Sequence, residues 1–196
     1  LKLIVFHMLF REYSHLLPNQ NIKSVDDLND IEFQSIILEM LQECSNRISK
    51  LTASWIRVGY CQGNFNSDNC LVGGRTMDYG PFGFIERYER KWNMWSGGGE
   101  HYSFRHQHIA GEKNFFSLAS SIALLLDNDG QQKVMREILP RHEINSQLEV
   151  ENIYRQKLGL TQWNDDYKHF FQRLDDHMEL TQVDYTLFWR QLSLLP

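Results

Sequence analysis

The chain has 196 residues, 42% hydrophobic, 13% aromatic and 23% charged, with a formal net charge of -5. That composition belongs to a globular domain able to bury one substantial core, and it excludes disorder as the main state. The negative balance, with no basic tail, argues against nucleic acid as an obligatory partner, because phosphate contacts need clustered Lys and Arg.

Residues 2–16 have a helical pattern that ends at Leu17-Pro18-Asn19. This opening stretch lacks an initiator Met and a small-residue cleavage site, and it runs straight into Arg11 and Glu12. It reads as a buried helix of a chain whose upstream part is missing rather than as a signal peptide. From Asp30 to Arg57 the apolar residues Phe33, Ile37, Met40, Cys44, Ile48, Leu51 and Trp55 recur at helical spacing and mark one long amphipathic helix.

The texture changes at Gly59, and nine of the twelve glycines lie between it and Gly99. Such a stretch makes loops and short strands, where function commonly sits. Cys70-Leu71-Val72, Gly73-Gly74 and Arg75-Thr76-Met77 predict a tight β-hairpin. Helix is expected again at Phe115–Leu126, within 131–139 and 147–157, at Asp165–Met178 and at Asp184–Leu194, with turns at Asp127–Gly130 and Gly159–Thr161. The fold class is therefore mainly α with a small β-hairpin, in a single domain over 1–196. Its candidate site spans 59–84, and a helical bundle covers 114–196.

The apolar run 115–126 is broken by Ser117, Ser120 and Ser121 and is too short to span a bilayer, so no membrane partner is expected. Cys44, Cys61 and Cys70 form neither a disulfide framework nor a Cys-x-x-Cys metal knuckle and fit a reducing compartment. Gly97-Gly98-Gly99 has no following Lys-Ser/Thr and reads as a flexible loop, not a phosphate cradle. His101, His106 and His108 could cradle zinc but read better as part of a polar loop, lacking a fourth ligand.

Asp68 and Asn69 precede the expected hairpin and Asp78 follows it, so a hairpin would gather all three at its open end. Two carboxylates and an amide oxygen form a hard-oxygen set that suits magnesium or manganese. Turn formation is the blander explanation of Asx residues and glycines in such a place.

The stretch 55–69, WIRVGYCQGNFNSDN, followed by 76–84, TMDYGPFGF, resembles the signature of the selenoprotein O family. Tyr102-Ser103-Phe104, Gln107, Asn114, 157–160 (KLGL) and 183–190 (VDYTLFWR) extend the resemblance over nearly the whole chain. It implies the C-lobe of a protein-kinase-like fold, with the N-lobe missing. It further implies an enzyme that transfers AMP from ATP to Ser, Thr or Tyr hydroxyls of proteins, with magnesium or manganese. By motif, Asp68 would be the catalytic proton acceptor, Asn69 and Asp78 metal ligands, and Asp78 would also lie against ATP, while Asn66 and Gly80 would shape the loop. The same site could transfer UMP or a phosphoryl group, and the rival from another class is a non-catalytic pseudokinase scaffold. Members of the family are mitochondrial in eukaryotes and cytoplasmic in bacteria. Departures from the family pattern are Gln62 where a His is usual, Lys113 where a Trp is usual, and the Trp95–His101 segment.

Overall fold

The computed structural model describes every residue except Gln20, Asp78, Ser96, Leu195 and Pro196. Seven α-helices are present among the described residues: α1 (Lys2–Glu12), α2 (Asp30–Val58), α3 (Gln107–Ala123), α4 (Asn128–Lys133), α5 (Leu139–Lys157), α6 (Asp165–Thr181) and α7 (Tyr185–Leu192). One two-stranded antiparallel sheet joins β1 (Tyr60–Gln62) to β2 (Phe82–Phe84). No helix among the described residues is long and apolar enough to cross a membrane.

The axis of the fold is α2. Asn29 caps it by accepting from Glu32 N–H at 2.9 Å, while the Glu32 carboxylate accepts from Asn29 N–H at 3.1 Å, so two otherwise orphaned donors are satisfied together. Gly59 ends it in the left-handed conformation, φ 79°, where a side chain would also press on Tyr185 at 3.1 Å. One face of α2 buries Phe33, Ile37, Met40, Leu41, Cys44 and Ile48 against α1, α3 and the segment carrying Val134 and Ile138. Another carries Ser45 and Ser49, whose hydroxyls lie 2.9 Å from His142 Nδ1 and 3.0 Å from Ser146 Oγ on α5. Burial is tolerated there because each hydroxyl has a partner.

The helix expected at Phe115–Leu126 starts at Gln107 and ends at Ala123, and Asn128–Gly130, expected as a turn, opens α4 under the cap of Asp127. Three other differences from the sequence reading have physical causes. The first helix closes at Glu12, and a short 3₁₀ turn, Ser14–Leu16, carries the rest of the expected segment. The segments expected as separate helices within 131–157 form one rod. Pro140 lies in the first turn of α5, directly after a π-helical stretch, Val134–Ile138. A proline ring clashes with the carbonyl four residues back, and a local change of hydrogen-bond register carries the rod past it.

The third difference corrects the hairpin at 70–77. The paired strands are instead β1 and β2, in the register Tyr60↔Phe84, Cys61↔Gly83 and Gln62↔Phe82, with residues 63–81 looping out between them. Only the tip of the expected hairpin exists, where Gly74 (φ 67°) donates to Leu71 O at 2.9 Å. Its would-be strands are held by helix side chains rather than by each other. Tyr13 Oη and Cys44 Sγ donate to Val72 O, and Trp55 Nε1 donates to Thr76 Oγ1 at 2.8 Å.

A second core cluster holds Ile56, Cys61, Tyr88, Phe104, Tyr154, Phe171, Tyr185 and Trp189. It ties the segment after β2 to the C-terminal helices. Asp175, 7% exposed, accepts from Tyr88 Oη and pairs with Arg90 Nε at 3.0 Å, and Arg105 Nη2 lies at 3.7 Å. With two arginines and a phenol around it, this buried carboxylate is compensated.

Candidate functional site

The loop between β1 and β2 presents Asp68 and Asn69 on a single 3₁₀ turn, Ser67–Asn69. Asp68 is exposed, while Asn69 is buried at 6% exposure. Asn69 Nδ2 donates to Asn64 O at 2.9 Å, which fixes the amide and leaves its Oδ1 as the free acceptor. At the N-cap of that turn, Asn66 Oδ1 is buried with no hydrogen-bond partner among the described residues. An orphaned buried oxygen is rare enough to call for a partner, and here Asp68 and Asn69 follow it by two and three residues. This donor chemistry fits a hard divalent cation.

Asp78 lies outside the described residues. Its neighbours on both sides are fixed, Thr76 by Trp55 and Tyr79 by Gln62, whose Nε2 donates to Tyr79 O at 2.9 Å. Gly80 (φ 83°) passes beside the turn, where a side-chain carbon would stand 4.0 Å from Asn69 Nδ2. Asn69 and Gly80 are thus brought together by the loop, and Asp68 stands beside them in the chain. Tyr102 also faces this corner: its phenol is pushed up first by burial and then by the charge of Asp68.

Residues 7–195 match the family model described as Protein adenylyltransferase SelO. The chain belongs to that family. It is 34% identical over 157 residues to the protein nucleotidyltransferase YdiU of Aeromonas hydrophila, covering 79% of this chain and 32% of that protein. The YdiU of Aliivibrio fischeri strain ES114 is 31% identical over 202 residues, covering 96% of this chain and 40% of that protein. A third, from Pseudomonas fluorescens strain SBW25, is 33% identical over 157 residues, covering 80% and 31%. The chain therefore spans about a third of the length of these curated relatives.

In this SelO-family chain, the residues that shape the loop come from outside it. Gln107 and Asn114, both buried, stand two turns apart on α3. Gln107 Oε1 accepts from Gln62 N–H at 2.8 Å, and its Nε2 donates to Tyr60 O at 2.8 Å and Phe104 O at 3.0 Å. Asn114 Nδ2 donates to Phe65 O at 2.9 Å, three residues before Asp68. Gln62, the residue found where a His is usual, is itself buried and clamped, and it accepts from Tyr60 Oη. Residue roles of this kind escape a sequence reading, because an amide on a helix carries no local sign of the carbonyl it will reach. The hints available were their place in the family resemblance and the seven-residue spacing of two amides on a helix face that is otherwise apolar.

The remaining candidates separate. His101 packs on Tyr102 with ring centroids 4.1 Å apart, His106 Nδ1 lies 2.9 Å from Ser103 Oγ, and His108 sits in the first turn of α3. Among the described residues no group of three His, Cys, Asp or Glu could hold a metal. Burial pushes the thiols of Cys44 up to about 11 and of Cys61 and Cys70 up to about 12, so all three stay protonated at neutral pH.

Proposed function

We propose that this chain is the C-lobe of a kinase-like protein adenylyltransferase, and that Asp68, Asn69 and Asp78 are its working residues. The supporting observation is the 3₁₀ turn that sets an exposed carboxylate beside a clamped amide, in a chain of a family whose relatives are named protein nucleotidyltransferases. Asp68 would accept the proton of a Ser, Thr or Tyr hydroxyl as that oxygen attacks the α-phosphorus of ATP and pyrophosphate leaves. Asn69 and Asp78 would hold magnesium or manganese, which supplies neutralisation of the triphosphate charge. Gln62 and Asn114 grip Tyr79 O and Phe65 O in this loop and Gln107 grips the strand before it, contacts that would orient the reacting groups before substrate arrives.

The test uses the full-length protein with ATP and magnesium, scored by mass spectrometry of the modified acceptor. Asp68→Asn is expected to lower transfer by about 10²–10⁴-fold, the range for general-base catalysis. Unchanged transfer by Asp78→Ala would defeat the metal assignment. Tight ATP binding with no transfer to any protein would favour a scaffold. The relatives are named protein nucleotidyltransferases, which leaves the nucleotide open, so UTP is run beside ATP and the added mass decides between AMP, UMP and phosphate.

A further inference from the structure

A groove of about 470 Å³ separates α3 from the π-helical stretch and the start of α5. Phe116 and Met135, 53% and 50% exposed, form part of its apolar lining together with Leu139. Glu112 and Glu143 face it from the two helices, and neither carboxylate has an ion pair or hydrogen bond among the described residues. The two repel each other, and burial together with the charge of Glu143 pushes the Glu112 carboxyl up. Lys113 also lines the groove, and its charge is felt at His101.

A second, independent feature points to a ligand. His142 lines the same groove at 2% exposure, with Nδ1 engaged by Ser45 Oγ at 2.9 Å and its ring packed on Phe115. Its Nε2 is buried and has no hydrogen-bond partner among the described residues. A buried polar atom left in that state costs about 1–3 kcal/mol unless something arrives to meet it.

We propose that this groove docks a segment of a partner protein in which an Arg or Lys sits beside an apolar residue. The cation relieves the Glu112–Glu143 repulsion, and the apolar side chain covers Phe116 and Met135. A peptide carries both N–H and C=O, so one that displaces the groove wall beside the buried His142 Nε2 can satisfy it in either tautomer. A small amine would leave the apolar wall wet, and an anionic membrane would be repelled by the two carboxylates. A metal ion is excluded by the lack of three grouped ligands among the described residues. Exposed apolar surface rimmed by unpaired charge is the usual mark of such an interface.

The experiment pans random 12-residue peptides displayed on phage against the full-length protein. Enriched peptides are then measured by fluorescence anisotropy against wild type, Glu112→Lys/Glu143→Lys and the milder Glu112→Gln/Glu143→Gln. Enriched sequences should pair a basic with an apolar residue, and their Kd should rise at least tenfold in the charge-reversed variant and also with added salt. Should the lysine variant fail to fold, the glutamine variant, of nearly the same shape, carries the comparison. The proposal is overturned if the enriched peptides lack a basic residue, if they bind the variants as tightly as wild type, or if no peptide is enriched.

Discussion

Helix α2 and the loop that follows β1 lie side by side yet are held in opposite ways. The helix satisfies its backbone internally and closes both ends with its own neighbours, the Asn29–Glu32 box and Gly59. The 63–81 loop depends on side chains from elsewhere: Asn114 from α3, Tyr13 from just beyond α1, and Trp55 and Cys44 from α2, while Gln107 holds β1 just before it. The lesson is that damage to the helices should be read as lost stability, whereas damage to the clamps should be read first as a misplaced loop.

The strongest way to break that distinction is to remove a core ring. Phe115, fully buried on α3 between α2 and α5, should cost about 3–5 kcal/mol on truncation to alanine, read as a lower urea midpoint. A smaller loss would mean that the helical core closes over the gap.

Acid should act on the helical side next. Burial depresses His142 to about 4 from 6.5, among Ser45, Ser49, Glu112 and Glu143. A histidine whose folded value is lowered binds protons more readily when unfolded, so stability falls as pH drops through the interval between 6.5 and 4. The contribution is roughly 3 kcal/mol at the acid end. Relative to wild type, His142→Gln should show a flatter decline of melting temperature between pH 7 and 4, and parallel curves would remove His142 from the account.

Asn114→Ala sharpens the comparison from the loop side. Leaving Phe65 O without its donor should cost about 1–3 kcal/mol, and ATP binding by the full-length protein should weaken more than global stability alone explains. Equal loss on both readouts would place Asn114 with the core. Smallest of all, Asn29→Ala removes a cap and should cost about 1 kcal/mol in thermal unfolding, with no effect on nucleotide handling.

Much of this was legible beforehand at the level of elements. The period of 3.6 that placed α2, α6 and α7 follows from burying one face of a helix, and tertiary context rarely overturns so long a pattern. The tip of the 70–77 turn was legible from Gly73-Gly74, but not the fate of its flanks. Local propensity sees a hairpin there, while the carbonyl of Val72 and the hydroxyl of Thr76 find partners on α1's flank and α2. The seam near Pro140 escaped for a similar reason, since a proline signals a break and only neighbouring packing can hold a π turn in its place.

By itself the sequence determined the presence of α2, α6 and α7, the candidate oxygen donors and the family signature, because each is written in side-chain type and short-range spacing. Only the tertiary structure decided which strands pair, which amides grip the loop, and that Glu112, His142 and Glu143 share one groove. Those outcomes depend on contacts between residues up to about a hundred positions apart, as with Ser45 and His142, whose separation is 97. Such contacts are chosen by packing and by the need to satisfy buried polar groups, and neither can be read one segment at a time.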